Sequence, residues 1–368
     1  VEPRLSTYLH AKACRDGTPL AGNFELTARC NFDCKMCYVH LSAKEQQRRG
    51  RELSADEWLA IAESARSRGM LVLLLTGGEP LIRPDFRYLL TELKKMGLLV
   101  SVNTNGSLID RDWLDFFKHE PPFRFNITLY GAEDAAYERL CGVPAFERVT
   151  SNIRALKQLG ADVKLNVSLT PYNAPDLEKI YAIAKELKTP VQLATYMFPP
   201  LRRSEEMIGK NDRFTPQEAA RYSFAWDKLR FSPEMLHERA AAMRAGLAVP
   251  DGEACEGAPG EGVSCRAGRS AFWLNWQGMM TPCGMMTAPA VSVPEVGFDR
   301  AWEELKAATA AIRLPVACAN CKNKHVCHVC AAMCVTETGK FDGKPQYLCD
   351  MSRETIRMTL EEKSNEDS

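Results

Sequence analysis

Six short apolar runs, each followed by a segment of helical periodicity, constrain this chain more than any other feature. They are NFELT (23–27), MLVLLLT (70–76), LLVSVNT (98–104), FRFNITL (123–129), DVKLNVSLT (162–170) and VQLATYM (191–197). The runs are rich in β-branched residues and too short for most helices. Between them lie amphipathic segments. One begins at Ser54 with Glu57 three residues on, which is a capping box, and others begin near Pro84, Asp110, Phe146 and Pro175. Six βα units in succession predict parallel strands joined by right-handed crossovers. Six is two short of a closed eight-strand barrel, so an open, partial α/β barrel is expected, with its site at the C-terminal strand ends.

The polar signals fall where that rule puts them. CNFDCKMC (30–37) follows the first run, GGEP (77–80) the second, NTNG (103–106) the third and LYG (129–131) the fourth. The chain has 14 cysteines in 368 residues, and all but Cys14 and Cys141 lie in clusters. Cysteines acting only as small buried hydrophobes would be scattered. The first 20 residues have no apolar signal-type core and no stretch reaches membrane-spanning length, so a cytoplasmic, reducing setting is expected, where disulfides are disfavoured. Lys plus Arg equals Asp plus Glu at 47 each, which gives no reason to expect nucleic acid or an anionic membrane as partner. Metal or iron–sulfur ligation is the remaining use for the cysteines. Thiolates suit both iron–sulfur clusters and zinc. Three cysteines on a four-iron cubane leave one iron open to bind a small molecule, while a zinc reading needs a distant fourth ligand such as His40.

The C-x3-C-x2-C loop of Cys30, Cys34 and Cys37 resembles that of radical S-adenosylmethionine enzymes, and Gly77, Gly78 and Glu79 resemble that family's glycine-rich motif. The resemblance covers residues 22–197. It implies a partial (βα)6 TIM-like barrel, a [4Fe–4S] cluster on the three cysteines, and S-adenosylmethionine chelating the open iron. Met36 and Tyr38 would lie near the adenine, Gly77, Gly78 and Glu79 would face the methionine end, and Asn105, Thr128 and Asn166 would meet ribose or carboxylate. Where members often carry an Arg–Gly pair after the fourth strand, this chain has Cys141–Gly142.

A second cysteine field, C265-x12-G278-x4-C283 and then C318-x2-C321-x5-C327-x2-C330 with Cys349 beyond, resembles the SPASM extension of the same family. The implied layout is an N-terminal extension (1–21), the barrel (22–200), a helical linker (201–252), a small cysteine-rich SPASM domain (253–350) and a C-terminal helix and tail (351–368). The implied cofactors are S-adenosylmethionine and three [4Fe–4S] clusters. Cys318, Cys321, Cys327 and Cys349 would hold the outer auxiliary cluster. Cys265, Cys283 and Cys330 would hold the inner one, with Cys255 as candidate fourth ligand and Cys334 as the rival of Cys330. Paired C-x2-C motifs also read as zinc sites.

The expected activity is radical modification of a peptide or protein with net oxidation, giving a thioether or carbon–carbon crosslink or a dehydrogenation. A flavodoxin- or ferredoxin-type electron donor is implied. Members that modify ribosomally made peptides often carry an N-terminal recognition domain. The first strand begins near residue 22, so a separate recognition protein or the barrel mouth is expected to serve instead. An alternative is formylglycine formation in the manner of anaerobic sulfatase maturases, but those tend to place Asp after the second-block cysteine, where this chain has Gly284. A reading from another class is a non-catalytic electron carrier or zinc scaffold. Tyr130, Tyr172, Tyr196, Phe198, Trp273 and Trp276 are core candidates that would otherwise grip a peptide. Arg202 and Arg203, in FPPLRR, read as a solvated loop.

Overall fold

The structure is a computed structural model that describes residues 5–245, 262–324 and 326–366, the last five of these as backbone only. The six runs form β1 (Ala21–Glu25), β2 (Val72–Thr76), β3 (Leu99–Thr104), β4 (Arg124–Thr128), β5 (Val163–Ser168) and β6 (Val191–Ala194). All are parallel and adjacent in chain order, as crossover connections require.

The sheet does not stop at β1. β7 (Ala271–Leu274) pairs parallel with β1 on its free side, and β8 (Met279–Thr281) and β9 (Val291–Ser292) follow antiparallel. The cysteine-rich part is therefore built onto the barrel sheet. Its second-block cysteine, Cys283, lies just beyond the end of β8.

The two faces of the sheet differ sharply. Phe24, Leu75, Val102, Phe125 and Leu165 are fully buried on the helix side. Alternate residues point the other way. In register across the inner face stand Asn23 and Trp273, Asn103 and Asn126, then Thr128 and Asn166. A polar, half-buried inner face suits a cavity that receives a polar ligand rather than a packed barrel core.

Outside, the capping box at Ser54 and Glu57 opens the helix Ala55–Ser67, which buries Trp58, Ile61, Ala62 and Ala65 at helical spacing. Trp58 packs against Phe24 with ring centroids 4.8 Å apart and the planes tilted by 31°. Asp110 caps the helix Arg111–His119, and Thr215 opens Pro216–Arg230 with a second capping box. The long helix Gln346–Glu366 packs against Pro216–Arg230 and carries Cys349 in its first turn. A buried joint fixes the C-terminal part on the barrel: Arg213 pairs with Glu337 at 2.5 Å, Tyr196 donates to Glu337 at 2.6 Å, and Arg213 lies over the Tyr347 ring. Among the described residues no helix is long and apolar enough to cross a membrane.

Candidate functional site

Beyond β1 the chain runs on beside the end of β2. Leu26 N–H donates to Thr76 O, Gly78 N–H to Thr27 O at 2.8 Å and Glu79 N–H to Arg29 O at 2.9 Å. This continued pairing explains the glycines. A Cβ on Gly78 would stand 2.2 Å from Arg29 O, and one on Gly77 2.6 Å from Thr27 O. The close approach is made by the chain's own backbone, one residue before Cys30. A Gly78→Ala variant is expected to push this strand away and cost about 1–3 kcal/mol. Iron content and urea midpoint, measured together, should both fall.

Glu79 is fully buried. Its Oε1 accepts from Leu81 N–H at 3.0 Å and Thr104 Oγ1 at 2.8 Å, and its Oε2 accepts from Asn105 N–H at 2.8 Å. Burial pushes its pKa up to about 7, against the pull of those donors. The carboxylate braces the end of β3. Asn105 in turn donates through Nδ2 to Asn31 Oδ1 at 2.9 Å and faces Cys30 Sγ at 3.9 Å. Asn31 donates to Ser107 Oγ, and Ser107 donates to Asn105 Oδ1. Asn31 and Ser107 were not singled out in the sequence. They lock the cysteine loop to β3.

The three thiols occupy one loop. Cys30 Sγ accepts from Phe32 N–H at 3.4 Å, and Cys37 Sγ accepts from Val39 and His40 N–H at 3.4 and 3.2 Å. Backbone donors aimed at sulfur suit thiolates. Burial pushes the Cys30 thiol up to about 12 and raises Cys37. Cys34 is raised first by its contact with the Cys141 thiol and then by burial, while Tyr130 donates to it and works the other way. A bound cation would therefore displace protons on loading. Cys141 is fully buried at the end of the helix Asp134–Cys141, where Asp33 N–H donates to Cys141 O and Lys35 N–H to Leu140 O. The loop is thus pinned along a helix C-terminus. The His40 ring turns toward Asp33, with Nδ1 3.2 Å from Oδ1. The donor set fits a three-thiolate cluster.

Met36 and Tyr38 are half-buried beside this loop, and Thr128 and Asn166 are registered neighbours on the inner face. Arg202 is not solvated, contrary to the loop reading. It forms a two-pronged pair with fully buried Glu25, 2.7 Å on each side. It also donates to Gly284 O at 3.1 Å and lies 5.8 Å from the Tyr38 ring centroid. Trp273 Nε1 donates to Glu25 at 3.0 Å. One guanidinium thus joins β1, the cysteine loop and the residue after Cys283. The extra attraction from Glu25 comes from a residue 177 positions away, beyond any local pattern.

The second field separates into two groups. Cys265, Cys283 and Cys330 lie within electrostatic reach of one another. Cys330 occupies the N-cap position of the helix Ala331–Thr338, and burial pushes its thiol up to about 12. Cys334 is fully buried one turn further on. Cys318, Cys321, Cys327 and Cys349 line a single cavity of about 210 Å³. Cys255 lies outside the described residues. Among those residues no three His, Cys, Asp or Glu side chains are placed to hold a single metal ion. In an iron–sulfur cluster each thiolate binds a different iron, so the sulfurs stand wider apart than around one ion.

The model of the radical SAM superfamily matches residues 24–185. An AdoMet-dependent heme synthase of Methanosarcina barkeri is 26% identical over 343 residues, 88% of this chain and 94% of that one. A probable GTP 3',8-cyclase of Saccharolobus solfataricus is 32% identical over 211 residues, 53% of this chain and 67% of that one. Among solved structures, Streptococcus suis SuiB bound to S-adenosylmethionine superposes with a TM-score of 0.65 at 16% identity, covering 95% of this chain and 82% of that one. Native anSMEcpe with bound AdoMet gives 0.66 at 17% identity, covering 95% and 100%. These two likenesses are of fold.

Proposed function

This chain belongs to the radical SAM superfamily, and on that premise we propose that it is an oxidoreductase acting on a peptide or protein. The family binds S-adenosylmethionine and a [4Fe–4S] cluster. When bound, that pair supplies reductive cleavage of the sulfonium to methionine and a 5′-deoxyadenosyl radical, which removes a hydrogen atom from substrate. Cys30, Cys34 and Cys37 would hold the cluster. Met36, Tyr38, Gly77, Gly78, Glu79, Asn105, Thr128 and Asn166 would surround the S-adenosylmethionine, with Glu79 also holding Asn105 in place.

The cavity lined by Cys318, Cys321, Cys327 and Cys349 carries the oxidative reading. Four thiolates saturate a four-iron cluster, leaving it for electron transfer rather than substrate binding. Cys265, Cys283 and Cys330, with Cys255 as candidate fourth ligand, would hold a second auxiliary cluster closer to the mouth. Bound there, such clusters would supply a one-electron acceptor for the net oxidation. The peptide assignment is supported by the shared fold of SuiB bound to precursor peptide SuiA and of anSMEcpe bound to Cp18Cys peptide.

Gly284 weighs against formylglycine chemistry with an acidic base at that position. A Cβ there would meet the Trp273 ring at 2.8 Å. Gly284→Asp is expected to displace Trp273 from Glu25 and lower stability by about 1–3 kcal/mol without creating maturase activity. Urea melts and a sulfatase-peptide assay check both halves.

A second reading is favoured by the likeness to the heme synthase over 343 residues: the substrate would be a tetrapyrrole. One experiment separates the two. Iron-loaded enzyme receives dithionite, S-adenosylmethionine and either peptides encoded beside its gene or a heme precursor. Peptide-dependent 5′-deoxyadenosine, with loss of two hydrogens from the peptide, is expected. Turnover with the tetrapyrrole alone would sink the peptide assignment.

A further inference from the structure

Among the described residues, Cys34 is the one cysteine of its loop whose sulfur accepts no backbone N–H. Cys30 Sγ accepts from Phe32 N–H, and Cys37 Sγ accepts from Val39 and His40 N–H. Two side chains reach Cys34 Sγ instead, the Cys141 thiol and the Tyr130 hydroxyl. Both are brought there by the fold. The helix Asp134–Cys141 ends at Gly142, which takes the left-handed backbone (φ 77°) of a helix cap. The last carbonyls of a helix lack intrahelical partners. Here Leu140 O and Cys141 O accept from Lys35 and Asp33 N–H, at 3.0 Å each. The residues on either side of Cys34 are thereby bonded to the helix end, and Cys34 and Cys141 are both buried in the main core. Tyr130 is fixed as firmly. Fully buried Asn173 donates to its carbonyl at 2.9 Å. Its ring packs edge-on against Phe32 and Tyr137, with centroids 6.2 and 5.8 Å away. Gly131 lets the helix approach this turn, since a Cβ there would stand 2.5 Å from Ala136 Cβ.

We propose that Cys141 and Tyr130 are positioning residues for the radical chemistry: with a cluster on Cys30, Cys34 and Cys37, their S–H and O–H donate to the Cys34 thiolate and set how readily that cluster is reduced. The inference rests on reading those three cysteines as the cluster ligands. Two thiols in contact share one hydrogen bond, and either can donate it. Iron replaces the proton of a ligating thiol, so the proton left between the pair belongs to Cys141. Cys141 then becomes a donor, as Tyr130 already is. Hydrogen bonds to ligand sulfurs are one of the levers on an iron–sulfur potential. A donor offsets negative charge, and the reduced cluster carries one more electron than the oxidised one. The donors therefore favour the reduced form and raise the potential. Burial strengthens the effect, because a hydrogen bond in a low-dielectric core is stronger than one in water. Sulfonium cleavage starts from the reduced cluster, so the two residues act on it through the fraction reduced.

The test uses the iron-loaded enzyme and its Cys141→Ala, Cys141→Ser and Tyr130→Phe variants. Iron is counted first, and about 12 per chain are expected in all of them. Each protein is then poised at stepped potentials, and the reduced clusters are followed by electron paramagnetic resonance. The signal that changes on adding S-adenosylmethionine marks the cluster with the open iron. In Tyr130→Phe its reduction equilibrium is expected to fall roughly tenfold, a midpoint lower by about 59 mV for one electron. In Cys141→Ala it should fall about threefold, since S–H is the weaker donor. Cys141→Ser keeps an O–H donor and should stay closer to the wild type. Wild-type midpoints in both Cys141→Ala and Tyr130→Phe overturn the proposal. So does loss of about four irons in Cys141→Ala, which would make Cys141 a ligand rather than a donor. A wild type whose signals ignore S-adenosylmethionine fails the cluster reading itself, and the proposal with it.

Discussion

Replacing Cys30, Cys34 and Cys37 together by alanine abolishes 5′-deoxyadenosine formation and removes about four of about 12 irons per chain. The loss is specific because the cysteine loop and the outer cavity are built from different segments of the chain. The loop after β1 contacts the helix Asp134–Cys141 and the end of β3, whereas the outer cavity is built from the segment 317–329 and the long C-terminal helix. The fold should survive. Cys34 and its neighbours pack in the main core, but the loop is held by backbone bonds at Asp33 and Lys35 and by Asn31. Iron assay and far-ultraviolet dichroism of the same sample test this. Retention of cleavage in the triple variant would move the chemistry to another cysteine group.

The second large effect concerns Arg202. Arg202→Met leaves the Glu25 carboxylate fully buried with only Trp273 to bond it, and stability is expected to fall by about 3–5 kcal/mol. Glu25→Gln is expected to cost about as much, because the guanidinium would keep only the Gly284 carbonyl and Tyr38. Burial works against the charge on Arg202, and Glu25 outweighs it. The double variant Glu25→Gln/Arg202→Met should recover much of the loss, since no uncompensated charge remains. Urea midpoints of all four proteins, taken anaerobically, close the cycle. Additive losses would show that the two residues do not act as a pair. Because Arg202 also touches Gly284 and Tyr38, the single variant should raise the S-adenosylmethionine concentration needed for cleavage.

Much of this was legible in the sequence because it is local. Short β-branched runs alternating with capped amphipathic segments leave a periodic trace, and all six strands overlap the expected runs. The cysteine groups announce themselves by spacing. Long-range pairings leave no such trace. β7 is four residues between two cysteine blocks, and nothing in AFWL says that it will pair beside β1. Arg202 follows two prolines and a leucine, so its loop looked wet, yet its carboxylate partner lies at the far end of the barrel sequence. Glycines signal close approach without saying what approaches: at Gly78 it is Arg29. Cys141 gave only a departure from the family pattern, and its contact with Cys34 needed the fold.

Cleavage of S-adenosylmethionine by the wild-type protein tests the central claim most directly. The chain is reconstituted anaerobically with iron and sulfide until about 12 irons are bound, then given dithionite and S-adenosylmethionine. Formation of 5′-deoxyadenosine and methionine in equal amounts is predicted. A fully loaded protein that binds S-adenosylmethionine and forms neither would contradict it.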